Sequence, residues 1–190
     1  MEPISVVILS GGESSRMGVP KACLTIKGKT FVEQIASHMV PADEILLSVK
    51  KNEDFPQIPL IHIADFFPGC GPMAGIHSAL IHSRNPLVFV TACDYPFISW
   101  QTVEELYSYY QNGEDVVIPV NEYGRYQAVC GLYHRRILPV MEHMLQHGEF
   151  RLRNLLDCCR CVKVPEHAFT DHQNKFKNIN TIEDYKEVCK

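Results

Sequence analysis

The run ISVVIL, residues 4–9, is strand-sized and almost unbroken in its apolar character. A strand with one wet face alternates apolar and polar residues; a strand covered on both faces does not. Residues 87–92, LVFVTA, repeat the pattern. Between them stands a segment of different period, residues 30–39, with Phe31, Ile35 and Met39 at i, i+4 and i+8 as on one side of a helix. The alternation continues along the chain. Strands are expected at 45–49, 60–63, 115–120 and 127–133. Helices are expected at 73–82 (started near Pro72), 102–110, 136–146 (closed by Gly148), 151–157 and 181–188. Sheet strands buried on both faces, alternating with helices, imply an α/β fold: a single domain over residues 1–190 with a doubly wound, mostly parallel sheet flanked by helices. Such folds bind ligands at the carboxyl ends of their strands.

Charge and composition narrow the partners. Of 190 residues, 46% are hydrophobic and 21% charged, and the net charge is -4. A general nucleic-acid binder carries a basic excess, so nucleic acid is not an expected partner, although a local basic pocket for a small phosphate ligand is compatible with this balance. The apolar runs fall far short of the ~20 residues that cross a bilayer. The start, MEPISVV, lacks a cationic leader and passes directly into the first strand. The expected compartment is the cytoplasm, with no membrane association. There the eight cysteines are expected as reduced thiols. Cys158, Cys159 and Cys161, in CCRC, lack the paired spacing of a zinc site, and buried, small apolar roles suit some of the eight.

Two strand ends carry unusual chemistry. After Leu9 the chain reads Ser10-Gly11-Gly12 and continues to Arg16, Gly18 and Lys21. Glycines let backbone amides approach a ligand, successive amides form an anion-binding concavity, and Arg16 and Lys21 add charge against phosphate oxygens. A Walker A loop is excluded by spacing, because Lys21 lies three residues beyond Gly18, and adjacent Gly11 and Gly12 exclude the G-x-G-x-x-G fingerprint. The second strand end is Thr91-Ala92-Cys93-Asp94. A carboxylate there suits Mg²⁺, which takes one or two carboxylates together with substrate phosphates, and it equally suits a turn cap before Pro96.

Further along, Asp65 follows the apolar run LIHIA. GPMAGI, from Gly71 and Pro72 to Ile76, joins small residues to a helix start whose free amides can take an anion or a base edge; ordinary helix punctuation reads it as well. Thr181 and Asp184 match a capping pattern, and Asn178 and Asn180 before them are free to bond a substrate. His134, His143 and His147 fall at surface or helix positions and are assigned no chemistry, and Arg151 and Arg153 fit a solvated face or a reach to a second anionic ligand, the solvated face being favoured.

Taken together, these segments resemble a known family. LSGGESSRMGVPK, GPMAGI, ACDYPFIS and NINTIEDY stand in the order, and over nearly the whole length, of the signatures of molybdenum cofactor guanylyltransferases, the MobA family. The first signature alone also fits sugar-nucleotide pyrophosphorylases and the related cytidylyltransferase; the other segments tilt toward the guanylyl enzyme. The resemblance implies transfer of GMP from GTP to the molybdenum-molybdopterin cofactor, with release of pyrophosphate and with Mg²⁺. It implies that Leu9, Ser10, Gly11, Gly12, Lys21 and Asp65 line the GTP site, with Gly71 and Pro72 beside them. Asp94 is then the Mg²⁺ ligand, Arg16 a phosphate contact, and Asn178 and Asn180 stand on the pterin side. The N-terminal half would bind nucleotide and the C-terminal half pterin, with other cofactor-biosynthesis proteins as handover partners. At the strand 45–49 the family's usual ligand-side asparagine is replaced by Ser48 or Lys50. The competing expectations are a cytidylyl or sugar-phosphate transferase and a non-catalytic nucleotide-binding protein.

Overall fold

The computed structural model describes residues 1–10, 20–50, 55–111 and 113–189. Among them seven strands form one sheet. They are β1 (Ser5–Leu9), β4 (Glu44–Val49), β5 (Ile61–Ala64), β6 (Leu87–Ala92), β7 (Val116–Val120), β8 (Cys130–His134) and β9 (Cys161–Pro165). A short hairpin, β2 (Thr25–Ile26) with β3 (Lys29–Thr30), stands apart. The sheet order is β5-β4-β1-β6-β8-β7-β9. Pairing is parallel throughout except at β8, which runs antiparallel to both β6 and β7. The mostly parallel sheet expected from the unbroken apolar runs is what forms, and every residue of β1 is buried.

The two faces of the sheet are covered differently. Val6, Ile8, Leu47, Phe89, Val117 and Leu132 point to one side, into a core shared with helices α1 (Phe31–His38) and α3 (Trp100–Tyr107). Val7, Leu9, Leu46, Val88, Val90 and Ile118 point to the other, against α2 (Gly71–His82) and α4 (Leu138–Gln146). Adjacent strand residues point to opposite faces, so Val6 and Val7 serve different cores. In α2, all residues from Met73 to Leu80 are buried. A helix enclosed this way needs small side chains where it approaches the sheet. Alanine and glycine supply them, and at Gly75 an added Cβ would lie 2.9 Å from Leu9 Cδ2 and 3.0 Å from Ser48 Oγ.

Several boundaries differ from the sequence expectation. The segment expected as a helix over 136–146 begins as a 3-10 turn, Arg135–Ile137, and becomes α4 at Leu138 beside Pro139; Gly148 closes it at φ +77°. The strand expected over 127–133 is only Cys130–His134. β9 was not anticipated, because its five residues start within the cysteine cluster and carry Lys163 in the middle. It is an edge strand paired on one side only, so its apolar pattern is weak. Cys93 and Cys130 are buried, as expected of some cysteines, whereas Cys158 is exposed and Cys159 and Cys161 are half-buried. Burial pushes the thiols of Cys159 and Cys161 up to about 11. The remaining helices are α5 (Leu152–Asp157), α6 (His172–Lys175) and α7 (Ile182–Val188). Among the described residues, no helix is long and apolar enough to cross a membrane.

Candidate active site

The chain order reverses around β1. From β1 it moves to β4 and β5 on one side, then returns to β6 on the other. This is a topological switch point, and ligands of open α/β sheets bind in the crevice at its carboxyl end. The register puts Leu9 level with Ser48 on β4 and with Ala92 on β6, so three strands end together. Backbone bonds fasten the rim. The Cys93 amide donates to the Leu9 carbonyl at 3.0 Å, and the Ser10 amide donates to the Ser48 carbonyl at 3.0 Å. The Ser10 hydroxyl donates to that same carbonyl at 2.6 Å.

On the β6 side, Asp94 stands one residue beyond Cys93. Lys21, on a 3-10 turn after Pro20, reaches across with Nζ 3.6 Å from Asp94 Oδ2. The same ammonium donates to Asn180 Oδ1 at 2.5 Å. Lys21 and Asp94 are mostly buried, with side-chain exposures of 14% and 20%. Burial raises the Asp94 carboxyl above its usual range, and the Lys21 charge pulls it back. The other carboxylate oxygen, Oδ1, is buried and has no hydrogen-bond partner among the described residues.

Asn180 arrives by a specific local route. Ile179, fully buried against Ile26 and Phe31, anchors the strand-like segment, and its amide donates to the Asp94 carbonyl at 2.8 Å. Its two neighbours therefore flank Asp94. Asn180 meets Lys21, and Asn178 stands on the other side, toward Tyr95. Thr181 then starts α7 with a capping box: the Asp184 carboxylate accepts from the Asn180 amide at 3.0 Å and from the Thr181 amide at 2.9 Å. The capping pattern read from NINTIEDY is thus present, and the cap holds Asn180 in place beside Lys21.

The β4 side forms a second half. Asp65 follows β5, and its Oδ1 accepts from Ser48 Oγ at 3.3 Å. Of the two residues weighed at the end of this strand, Ser48 is buried and bonded to Asp65, whereas Lys50 is exposed. Gly71, at φ +64°, opens α2, and Pro72 sits in its first turn; both are exposed, and Cys70 gives no side-chain cap, so the leading amides of α2 face outward. The structure thus gathers Leu9, Ser10, Lys21, Asp94, Asn178 and Asn180 at one mouth, with Asp65 and the start of α2 beside it. Gly11, Gly12 and Arg16 lie outside the described residues.

Sequence reasoning passed over three contributors. Gly75, the last glycine of GPMAGI, is the contact point of α2 with Leu9 and Ser48. Gln127 links Tyr95, whose hydroxyl donates to Gln127 Oε1 at 2.9 Å, to Glu166, whose Oε1 accepts from Gln127 Nε2 at 2.8 Å. Of these only Gly75 had a usable signal, a second small residue one helical turn after Gly71.

The mostly parallel seven-stranded sheet with its flanking helices is the Rossmann-like fold of nucleotidyltransferases. The chain belongs to the MobA-like NTP transferase domain family, whose model matches residues 6–165. It is 33% identical to a probable molybdenum cofactor guanylyltransferase of Carboxydothermus hydrogenoformans, over 100% of this chain and 97% of that one. It is 32% identical to another of Clostridium perfringens, over 98% and 96%. Among solved structures, molybdopterin-guanine dinucleotide biosynthesis protein A from Archaeoglobus fulgidus superposes with a TM-score of 0.84 at 24% identity, over 97% of this chain and 96% of that one. A 2-C-methyl-D-erythritol 4-phosphate cytidylyltransferase from Thermus thermophilus gives 0.73 at 19% identity, over 98% and 97%. The expected fold class and family are therefore confirmed, and the chain is an enzyme of nucleotidyl transfer.

Proposed function

We propose that this enzyme transfers GMP from GTP to the phosphate of the molybdenum-molybdopterin cofactor, in the cytoplasm and with Mg²⁺, releasing pyrophosphate. The observation that carries the reading is the meeting of Lys21, Asp94 and Asn180 at the switch point. The full-length relatives named for this reaction support it.

The residues fit a divalent cation. Asp94 Oδ1 is a buried oxygen lacking a hydrogen-bond partner among the described residues, which is costly unless a ligand satisfies it. Mg²⁺ commonly binds through one or two carboxylates plus substrate phosphates. Bound there, it would supply Lewis-acid polarisation of a phosphoryl oxygen. The rest is the chain's own work. Lys21 offsets charge that develops at the α-phosphate and on the leaving pyrophosphate, with Arg16 as the second cation in the sequence. Asn180 fixes the ammonium. Ser48, Asp65 and the leading amides of α2 form the nucleotide-base side. The acceptor phosphate is already ionised near neutral pH, so the reaction calls for positioning and charge neutralisation rather than a general base.

Thermal unfolding with each nucleotide in the presence of Mg²⁺ tests the substrate. A ligand that binds only the folded state at 100 times its Kd stabilises by about 2.7 kcal/mol. GTP should raise Tm well above CTP, UTP or ATP, and pyrophosphate release should require the pterin acceptor. Equal or greater protection by CTP would replace the guanylyl reading with a cytidylyl one.

A further inference from the structure

The mouth described above has an unassigned continuation. β7 runs parallel to β6, because both pair antiparallel with β8, and β9 runs parallel to β7. The carboxyl ends of β7 and β9 therefore open on the same sheet edge as Leu9 and Ala92. A cleft of about 460 Å³ lies there, walled by Asn121, Tyr123, Glu166, His172, Phe176 and Lys177. That volume is within the ~300–1,000 Å³ usual for small-molecule sites.

Building on the function proposed above, we propose that this cleft seats the pterin ring of the acceptor. Glu166 takes the ring's aminopyrimidinone edge and Tyr123 covers its face. Three observations support the assignment. First, the cleft is tied to the transfer site: Tyr95, next to Asp94, bonds Gln127, and Gln127 bonds Glu166. A ring docked on Glu166 is thereby held at a fixed offset from the carboxylate that faces the phosphates. Second, the chemistry matches. The pterin edge presents a ring N–H beside an exocyclic amine, two parallel donors, and a carboxylate accepts such a pair on its two oxygens. Glu166, half-buried in the cleft wall, is oriented by the bond it accepts from Gln127. Third, Tyr123 is 76% exposed, yet it sits on a well-fastened turn. The Asn121 side-chain oxygen accepts from the Tyr123 amide at 3.0 Å and from the Arg125 amide at 2.9 Å. An aromatic face held out on a rigid turn suits stacking on a flat heterocycle. Lys177, paired with Glu187 at 2.9 Å, adds a cation at the rim.

Guanine carries the same ring N–H and amine, so the test must separate the two heterocycles. The probe is 6-hydroxymethylpterin, followed by its own fluorescence, on the full chain with and without saturating GTP and Mg²⁺. Expected are saturable binding that GTP and guanosine do not displace, at least tenfold weaker binding in Glu166→Gln, and several-fold weaker binding with less quenching in Tyr123→Ala. Glutamine at 166 can still accept from Gln127, and Tyr123 is a surface residue. If Glu166→Gln nonetheless fails to fold, Tyr123→Ala decides alone. Displacement by GTP or guanosine, unchanged affinity in the folded variants, or no saturable binding up to millimolar pterin overturns the proposal. The outcome is separable from the base preference. Should CTP protect best while pterin binding follows Glu166 and Tyr123, the guanylyl reading falls and the cleft assignment stands.

Discussion

Replacing Gly75 by alanine sets two opposed effects against each other where α2 meets Leu9 and Ser48. In a solvent-facing helix the change stabilises by about 1 kcal/mol, because alanine is the better helix former. Here the new methyl would lie 2.9 Å from Leu9 Cδ2 and 3.0 Å from Ser48 Oγ, against a normal carbon–carbon separation of about 3.5–4.0 Å. Leu9 is 5% exposed and Ser48 4%, so neither side chain can swing into solvent. Relief has to come from displacing α2 or the end of β1, and overpacking of this kind costs about 1–3 kcal/mol. Subtracting the helix gain leaves a net loss of about 0–2 kcal/mol. At ~2–4 °C per kcal/mol for a chain of this size, Tm falls by up to about 8 °C. The effect on binding should exceed the effect on stability. Asp65 Oδ1 lies 3.7 Å from the added methyl and is bonded to Ser48, so the Ser48–Asp65 pair, which the function proposed above places on the base side, shifts with the helix. GTP affinity by calorimetry should fall at least tenfold, and Gly75→Ser should be worse on both counts. A Gly75→Ala protein that melts higher than wild type and binds GTP normally would show that α2 does not press on Leu9 and Ser48 as described.

Other perturbations probe the second half of the site and the scaffold. Lys21→Met should lower turnover by about 10²–10³-fold, the usual loss for one transition-state charge stabiliser, with the apo melt shifted by only a few degrees; turnover within threefold of wild type refutes the role. Burial raises the Asp94 carboxyl above its ordinary 3.8, so the folded state holds a proton that the unfolded chain releases. Its stabilising contribution is complete below pH ~4 and is lost as pH rises through the folded value, so the stability of wild type relative to Asp94→Asn should decline over that window in urea titrations; a flat difference refutes the shift. Lys175, 5% exposed, pairs with Glu105 at 2.5 Å. Lys175→Met alone or Glu105→Leu alone should cost about 3–5 kcal/mol, while the double variant recovers most of it, as a double-mutant cycle will reveal. Asp184→Asn removes the carboxylate that accepts from the Asn180 and Thr181 amides, so it should cost about 1 kcal/mol in stability and also depress turnover through Lys21; loss of stability alone would separate the cap from the site.

The parts of this protein legible in its sequence are those whose cause is local. β1 and β6 were readable because strands covered on both faces have no polar alternation to confuse, and α1 because its apolar residues recur at helical spacing. The capping pattern at Thr181 is a four-residue statement and forms as written. β9 was not readable, since an edge strand with Lys163 at its centre has neither signature. The single reversal at β8 was also beyond reach. Strand direction depends on whether the connection is a tight return or a crossover, and nothing in the residues between 120 and 130 excludes either.

The site was legible as a set of residues and illegible as an arrangement, and Asn180 shows why. In sequence it stands 159 positions from Lys21, in a segment that a helix cap explains completely. What brings the two together is Ile179, an apolar residue between two asparagines, whose burial against Ile26 and Phe31 and whose amide bond to the Asp94 carbonyl fix the segment against the end of β6. The asparagines are exposed on either side because the isoleucine is not. The residue that positions this corner of the site is therefore one that chemistry-based reading passes over. Ile179→Ala should loosen Asn178 and Asn180 together, weakening the hold on Lys21 although neither polar side chain has changed.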